Sequence, residues 1–379
     1  LVPSLLQTPS MTPPADLDQR LHNFSAGPGA LPSDVMEEVR DELPVYPGLG
    51  ASIMEVSHRS AGYTEIHERA KERMARLLGL GDGWHVLFLA SGASMQFHQV
   101  PLNFLPEGGS VAYLDTGNWS GKAVAEAVIV ANTRSARVDV VASSRDGNYS
   151  YVPRQSDWRL DPGATYLHYT SNNTIYGTQL RAEPDVPMPL VCDASSDFLS
   201  RPLDVDRYGL LYAGAQKNIG PAGVTAVLVR DEFLQTRLPG LPTLLDYGTH
   251  AKKLFHTPPV FAIYIVDKVL GWIERNGGLP GMVERNRAKV DALYGALDAT
   301  DFYRPTARPE DRSHMNVTFR LPSEELEARF VTEAAGEGLL ALKGYRTVGG
   351  VRASIYNAVE PASVDALVDF MGCFESTYG

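Results

Sequence analysis

Two patterns alternate between residues 63 and 230, and this alternation constrains the fold more than any other feature of the sequence. Short apolar runs such as residues 84–90 and 224–229 are typical of buried β-strands. Segments between such runs, and the segment that precedes them at residues 63–80, carry apolar side chains at helical spacing. Strands that alternate with helices predict an α/β fold with a mostly parallel, doubly wound sheet. Ligands of such sheets bind beyond the carboxyl ends of the strands.

One turn of the predicted sheet carries a lysine among small residues. Lys217 lies between the strand-like residues 208–213 and 224–229, in a turn rich in glycine and alanine. A lone lysine in such a turn is most often a solvated surface residue. Here the small neighbours leave room for a bulky group, and a desolvated lysine amine can form a Schiff base with an aldehyde. Pyridoxal 5'-phosphate is the aldehyde cofactor that requires such a lysine.

This cofactor also needs a carboxylate beside its ring nitrogen and amide groups for its phosphate. The short apolar strand at residues 189–192 ends at Asp193, and the chain from there to Lys217 has room for a neighbouring strand. An aspartate at a strand end is more often a turn or cap residue. Together with Lys217, Asp193 becomes the candidate partner of the ring nitrogen. Ser94, between a strand and a helix, is a weaker candidate for the phosphate.

Five candidate residues each follow a predicted strand: Ser94, Trp119, Thr174, Asp193 and Lys217. Because parallel strands end at one edge of a sheet, we expect the five to converge on one site. Trp119 is predicted in a loop, where it is either a packing residue or a platform for a flat ring. Thr174 belongs to a polar stretch that also reads as an ordinary turn.

Composition narrows the partners and the compartment. The chain has 379 residues and a formal net charge of −11, which disfavours nucleic acid and anionic membranes as partners. Its two cysteines give no disulfide framework, and no metal-ligand spacing is found, so we expect no metal and a reducing cytoplasm. No apolar run approaches the roughly 20 residues that a membrane span requires.

The chain divides into three parts. Residues 1–20 are rich in Pro, Ser and Thr, and we predict a disordered leader there. Residues 21–275 are predicted to form the large domain, whose N-terminal loop can pack on the small one. Residues 276–379 are predicted to form a small α+β domain, because the element pattern changes from residue 315 onward. In it Arg346 and Arg352 lie near strand ends, where either can hold a carboxylate or face solvent.

Four stretches together carry a resemblance to a known family. They are NFSAGP at residues 23–28, EVSHR at 55–59, YAGAQKNIGPAG at 212–223 and VGGVRASIYNA at 348–358. From residue 23 onward the sequence resembles the phosphoserine aminotransferases, which belong to class V of the fold-type I pyridoxal-phosphate enzymes. The resemblance implies a seven-stranded type of sheet flanked by helices, plus the small C-terminal domain.

The resemblance also implies a role for individual residues. Lys217 would carry the Schiff base, Asp193 would face the ring nitrogen, Trp119 would stack on the ring and Thr174 would lie near its hydroxyl. The phosphate would be bound by Ala93, Ser94 and Gln216, and Thr257 from the neighbouring subunit of a homodimer would complete its site. His256 would also belong to the cofactor-binding residues. Substrate would be bound by Arg352 at its α-carboxylate and by His58, Arg59 and Arg346 at its distal anionic group.

The implied reaction is a reversible transamination between L-glutamate and 3-phosphohydroxypyruvate, a step of serine biosynthesis. It leaves open a second substrate, the four-carbon phospho-keto acid of vitamin B6 (pyridoxine) synthesis. Three residues depart from the family pattern: Tyr345 replaces a usual histidine, His256 replaces a usual asparagine, and Ser94 stands where some relatives have arginine or cysteine. With Tyr345 in place of a histidine, the residues around the distal anionic group of the substrate include one possible cation fewer. This weakens the case for a phosphorylated substrate.

Three alternatives remain. An alanine–glyoxylate type of aminotransferase would share the fold and the lysine. A cysteine desulfurase needs a mobile nucleophilic cysteine, which neither Cys192, in a predicted core strand, nor Cys373, near the chain end, provides comfortably. A non-catalytic sensor is disfavoured because Lys217, Asp193 and Arg352 are all present and no helix-turn-helix segment is appended.

Overall fold

The structure is a computed structural model that describes residues 20–379. The predicted leader therefore lies outside the described residues, except for Arg20. The guanidinium of Arg20 donates a hydrogen bond to the carbonyl oxygen of Leu31 at 3.1 Å, so this residue is already part of the folded chain.

The described strands are, in chain order, β1 (His22–Asn23), β2 (Trp84–Leu89), β3 (Ser110–Asp115), β4 (Arg137–Ser143), β5 (Leu167–Thr170), β6 (Leu190–Asp193), β7 (Tyr208–Gly214), β8 (Thr225–Arg230), β9 (Arg304–Pro305), β10 (Asn316–Arg320), β11 (Leu339–Leu340) and β12 (Val351–Ser354). The helices are α1 (Ser33–Glu42), α2 (Ala61–Leu78), α3 (Ser94–Phe104), α4 (Asn118–Asn132), α5 (Asp231–Gln235), α6 (Tyr247–Lys252), α7 (Val260–Arg275), α8 (Gly278–Asp298), α9 (Glu324–Gly336) and α10 (Pro361–Tyr378).

Within residues 20–379, seven strands form the large sheet in the order β2-β8-β7-β6-β5-β3-β4. Only β8 is antiparallel to its neighbours, β2 and β7, so β2 and β7 run in the same direction as the other four. Six strands therefore end at one edge of the sheet. The predicted α/β fold with a mostly parallel sheet flanked by helices is confirmed.

Both faces of this sheet are buried. Leu211 and Ala213 of β7 pack into one core with helices α2 and α7, whereas Leu210 and Tyr212 pack into a second core with α3 and α4. Alternate residues of a strand point to opposite faces, which is why consecutive residues of β7 enter different cores. Each fully buried large apolar side chain contributes about 1.5–3 kcal/mol to stability.

Helix ends are fixed by local hydrogen bonds. The Ser60 hydroxyl accepts a bond from the Tyr63 amide at the start of α2, and the left-handed Gly79 ends that helix at a φ of 64°. Helix α4 begins earlier than the sequence indicates, because the Ser120 hydroxyl accepts bonds from the amides of Thr116 and Gly117, each at 2.9 Å. The prediction of a loop at Trp119 is therefore wrong: this residue lies in the first turn of α4.

A second sheet, in the order β12-β10-β9, packs with α8, α9 and α10 around a third core. Strand β1 pairs in parallel with β11. Helix α8 spans two cores, since Leu279 packs in the core of α2 and α7 but Val290 packs in the third core. The division into residues 21–275 and 276–379 remains our proposal. No helix among residues 20–379 has both the length and the apolar character that a membrane span needs.

Candidate active site

The amine of Lys217 is buried and held by two hydroxyl groups. Lys217 lies in the turn after β7 and is 9% exposed. Its Nζ donates to Thr174 Oγ1 at 2.8 Å and to Ser196 Oγ at 2.7 Å. The two hydroxyl oxygens are themselves 2.6 Å apart. The loops after β5 and β6 therefore position the amine that follows β7.

Burial changes the protonation of this amine. The pKa of Lys217 is lowered from 10.5 to about 8: loss of water around the amine is the largest cause and the Arg352 guanidinium acts in the same direction, whereas the carboxylates of Asp193 and Asp197 oppose the shift. At a pKa of 8, roughly a tenth of the molecules hold a neutral amine at pH 7. The site thus provides a lysine that can act as nucleophile or base near neutral pH.

Asp193 ends β6 and lies close enough to Lys217 for the two charges to interact. Its Oδ1 accepts hydrogen bonds from the amide of Ser195 at 3.0 Å and from the Ser195 hydroxyl at 2.6 Å. Burial raises the pKa of Asp193, against the opposing effects of Ser195 and Lys217. Within residues 20–379, Oδ2 has no hydrogen-bond partner, so one carboxylate oxygen is left for a ligand.

Arg352 of β12 brings a guanidinium group to the same place. One of its terminal nitrogens donates to the carbonyl oxygen of Thr174 at 3.4 Å. Its Nε is buried without a partner among the described residues. Burial lowers the pKa of Arg352, and the group interacts electrostatically with Lys217. We call Thr174, Asp193, Ser196, Lys217 and Arg352 the lysine cleft.

Trp119 lies in the first turn of α4, and the residues just before it pack on the loop of Thr174. The side-chain amide of Asn173 donates to the carbonyl oxygen of Thr116, and a Cβ at Gly117 would collide with this amide. Three buried polar atoms of the turn lack partners within residues 20–379: Thr116 Oγ1, Asn118 Nδ2 and Trp119 Nε1. Buried polar groups normally have partners, so these three atoms are available to hydrogen-bond a ligand.

Two further predicted phosphate ligands lie at the amino end of α3, after the last residue of β2. Ala93 is half-buried and Ser94 is exposed, and neither backbone amide has a partner in the described part of the chain. Free amides at a helix start favour an anion. Gln216 is half-buried beside Lys217, and its side chain lies over Gly214.

Four predicted residues lie elsewhere. His58, Arg59, His256 and Thr257 have no hydrogen bond, ion pair or electrostatic contact with Lys217 among residues 20–379, and we call them the histidine face. His58 interacts electrostatically with His256. The pKa of His256 is lowered by its burial and by the neighbouring His250 and His58. Both ring nitrogens of His256 are buried without a partner within that range, and Arg59 and Thr257 are exposed.

Arg346 lies in the loop between β11 and β12, where it is exposed and makes no ion pair with any described residue. Its neighbour Tyr345 interacts electrostatically with Arg352, which places this loop at the mouth of the lysine cleft. Arg346 itself lines a cavity with residues of α9, among them Glu327 and Val331, and no contact with Arg352 is observed among residues 20–379.

The sequence analysis missed Ser196 and Tyr356. Ser196 is the hydroxyl that Lys217 contacts most closely, and its position three residues after Asp193 was an available signal. The Tyr356 hydroxyl donates to the carbonyl oxygen of Ala26 at 2.8 Å. That contact joins two of the four family-like stretches, at residues 23–28 and 348–358, and no local pattern predicts it.

Comparison with known proteins gives matches along almost the whole chain. Residues 21–367 match the family model described as Aminotransferase class-V. A phosphoserine aminotransferase from Desulfatibacillum aliphaticivorans is 52% identical over 367 residues, covering 96% of this chain and 100% of that protein. A solved phosphoserine aminotransferase from Bacillus circulans subsp. alkalophilus has a TM-score of 0.92 and 48% identity, covering 95% of this chain and 100% of the other. A solved PLP-bound phosphoserine aminotransferase from Trichomonas vaginalis has a TM-score of 0.90 and 39% identity, covering 93% and 100%.

The lysine cleft at the carboxyl edge of the sheet and the match over residues 21–367 define the class: the chain belongs to the class V aminotransferases. Within that class it belongs to the phosphoserine aminotransferases, because relatives of that name match it at about half of all positions over nearly its full length. The resemblance noted in the sequence is confirmed.

Proposed function

We propose that this chain is a pyridoxal-phosphate-dependent phosphoserine aminotransferase that transfers the amino group of L-glutamate to 3-phosphohydroxypyruvate, reversibly and by a ping-pong cycle. The products are 2-oxoglutarate and O-phospho-L-serine. One observation carries the proposal: the buried Lys217 amine, with its pKa near 8, interacts electrostatically with both the Asp193 carboxylate and the Arg352 guanidinium. These are the three groups that bind and activate an amino acid in such an enzyme.

The residues fit the cofactor. Asp193 Oδ2 is free to accept a hydrogen bond from the ring N–H of the cofactor. The indole ring of Trp119, whose Nε1 has no partner among the described residues, would cover the cofactor ring. The free amides of Ala93 and Ser94, together with Gln216, would hold the phosphate. Thr174 would lie beside the ring hydroxyl. When bound, pyridoxal phosphate supplies an aldehyde that condenses with amines and a ring that accepts the electron pair released from Cα.

Lys217 has two roles in this scheme. Its Nζ would hold the cofactor in the resting enzyme and, once released by the substrate amine, would accept the Cα proton as general base and give it back as general acid. We infer that the released amine rests between Thr174 and Ser196, because Nζ lies within hydrogen-bond distance of both hydroxyl groups. Both hydroxyls can accept from the neutral or the charged amine, so they hold it in either state.

Arg352 binds the α-carboxylate that both substrates share. Its guanidinium has five N–H donors, and within residues 20–379 only the Thr174 carbonyl oxygen uses one of them. The distal phosphate or carboxylate would be bound by Arg346, at the mouth of the cleft, and by His58 and Arg59. Tyr345 adds a hydroxyl group there in place of a cation.

The histidine face supports the homodimer that this scheme needs. Its exposed cation, Arg59, makes no hydrogen bond or ion pair with the lysine cleft of its own chain, so it is available to a neighbouring chain. Large apolar side chains are exposed beside it in the sequence: Met54 is 60% exposed and Phe255 is 44% exposed. A second copy would cover this apolar surface and deliver His58, Arg59, His256 and Thr257 to the partner's lysine cleft.

Membership of the phosphoserine aminotransferase family favours the phosphoserine reaction over the alanine–glyoxylate alternative. The charge of Arg59 and Arg346, the cations proposed to bind the distal group of the substrate, is also suited to a phosphate. We place the enzyme in serine biosynthesis and in the cytoplasm, where its small-molecule substrates are metabolised. We keep the four-carbon phospho-keto acid of pyridoxine biosynthesis as a second candidate substrate, since it offers the same carboxylate and phosphate.

A single-turnover absorbance experiment tests the proposal. The purified protein, loaded with pyridoxal phosphate, is mixed with glutamate and then with 3-phosphohydroxypyruvate or unphosphorylated hydroxypyruvate. We expect glutamate to shift the absorbance of the bound cofactor and only the phosphorylated keto acid to restore it efficiently. No shift with glutamate would contradict the proposal, and equal recovery with hydroxypyruvate or glyoxylate would support the alternative.

A further inference from the structure

A second buried lysine lies behind the strand of Arg352. Lys289, on α8, is 1% exposed, and its Nζ donates to the carbonyl oxygens of Ile355 at 2.9 Å and Tyr356 at 2.6 Å. It forms no ion pair with a carboxylate among residues 20–379. Burying a lysine without a counter-charge is costly, and here burial lowers its pKa well below the usual value. Its two hydrogen bonds to backbone carbonyl groups offset part of this cost and attach α8 to residues 355–356.

Asn357 extends the contacts of Lys289 from α8 towards the large sheet. Its backbone amide donates to Asn218 Oδ1 at 3.0 Å, and its side-chain amide donates to the carbonyl oxygen of Leu199 at 2.9 Å. Its own Oδ1 accepts a bond from Asn286, on α8, at 2.7 Å. Asn357 is fully buried and links α8 to two turns of the large sheet.

Those two turns are the ones that hold the reactive amine. Asn218 directly follows Lys217, and its side-chain amide donates to the carbonyl oxygen of Ser196 at 3.2 Å. Leu199 has a left-handed backbone, with a φ of 56°, which is unfavourable for a leucine and needs support from its surroundings. The Asn357 side chain provides such support, because it bonds to the carbonyl group of that residue.

The other end of the connection is the carboxylate site. Residues 355–357 directly follow β12, and Arg352 lies three residues before Ile355. The ring of Tyr356 packs against Gly29, whose amide donates to the carbonyl oxygen of Gln216 at 2.7 Å. Residues 352–357 are thus attached to α8 on one side and to the turn of Lys217 on the other.

We propose that Lys289 and Asn357 are positioning residues, which hold residues 352–357 against the turn of Lys217 and so fix the distance between the Arg352 guanidinium and the Lys217 amine. Neither residue touches the substrate. The inference rests on the proposed function, because Arg352 must bind the α-carboxylate for the distance to matter. A misplacement of about 1 Å at a binding group can cost up to about a hundredfold in rate.

The test is Lys289→Met, which keeps the length and the apolar stem of the side chain but removes both donors. We expect the holoenzyme to keep its cofactor. In the glutamate half-reaction, the half-saturating concentration should rise about tenfold or more, with a smaller change in the maximal rate. The half-saturating concentration of the keto acid should rise by the same factor, because both substrates share the α-carboxylate.

Val290→Ala is the matched control, because this buried apolar residue is adjacent on α8 and takes part in none of the side-chain hydrogen bonds of Asn286, Lys289 and Asn357. It should lower the melting temperature and leave both half-saturating concentrations unchanged. If Lys289→Met gives no folded protein, Asn286→Ala is used instead, because it removes one hydrogen bond of Asn357. It should raise the half-saturating concentrations of both substrates by a smaller factor.

A Lys289→Met or Asn286→Ala enzyme that is less stable but has unchanged half-saturating concentrations would overturn the inference and leave the proposed function intact. A wild-type protein that does not respond to glutamate would contradict the proposed function and this inference together.

Discussion

The lysine cleft and the histidine face differ in how completely their polar groups are used. In the lysine cleft, Lys217, Asp193 and Thr174 are buried and bonded to one another or to neighbouring hydroxyls. In the histidine face, Arg59 is exposed without an ion pair among the described residues, and both ring nitrogens of His256 lack partners. The first region is organised within one chain, whereas the second carries polar groups that have few partners among the described residues of that chain.

The difference agrees with the proposed division of labour. In the proposed function the cleft would hold the groups that react, which need fixed geometry and low solvent access. The face would hold groups that bind an anion, which need only reach it in the proposed dimer. We therefore expect changes in the cleft to affect catalysis itself and changes in the face to affect binding across a subunit boundary.

The largest effect is expected from Lys217→Ala. Without the amine, the protein cannot hold the cofactor covalently or move the Cα proton, so turnover should fall by more than about 10³-fold. The absorbance of bound cofactor should be lost as well. Lys71→Ala, which removes a partly exposed lysine of α2 that pairs with Glu68, is the control and should behave as wild type. A Lys217→Ala enzyme of unchanged rate would refute the central role of the cleft.

Asp193→Asn should have the next largest effect. The amide is the same size but cannot keep the cofactor's ring nitrogen protonated, so the glutamate half-reaction should slow by about 10²- to 10⁴-fold while the cofactor remains bound. Stopped-flow absorbance with saturating glutamate measures this rate. If the variant reacts at the wild-type rate, Asp193 is not the partner of the ring nitrogen.

Uptake of the cofactor by the apoprotein should depend on pH. Burial lowers the pKa of Lys217 to about 8, so the neutral amine that adds to an aldehyde becomes more abundant as pH rises towards 8. The rate of uptake should increase roughly tenfold from pH 6 to pH 7 and level off above about pH 8. Circular dichroism at each pH checks that the fold is unchanged. A rate that keeps rising to about pH 10 would mean that the amine is solvated.

The smallest effect is expected from Tyr345→His, at the mouth of the cleft. Tyr345 is half-buried, so a new cation there should improve kcat/KM for 3-phosphohydroxypyruvate over hydroxypyruvate by only about two- to fivefold. Tyr345→Phe serves as the uncharged control and should not increase the ratio. If both variants change the ratio equally, charge at this position does not set the preference for phosphate.

The sequence predicted the parts of this site that follow from local pattern. Lys217 is marked by its small neighbours and Asp193 by the strand that it ends, and the parallel sheet then brings both to one edge. Contacts between distant segments were not predictable in this way. Ser196 and the connection from Lys289 to Asn357 depend on how turns pack together. The loop assigned to Trp119 was wrong because one hydroxyl, that of Ser120, starts the helix earlier.

A heterodimer tests most directly whether the face of one chain completes the cleft of another. One protomer carries Lys217→Ala and the other carries His58→Ala with Arg59→Ala, on different affinity tags, so that mixed dimers can be purified. Each parent homodimer should be nearly inactive with 3-phosphohydroxypyruvate. The mixed dimer contains one intact pair of cleft and face, so it should regain about half of the wild-type activity. A mixed dimer as inactive as its parents would show that the two regions do not act across the subunit boundary.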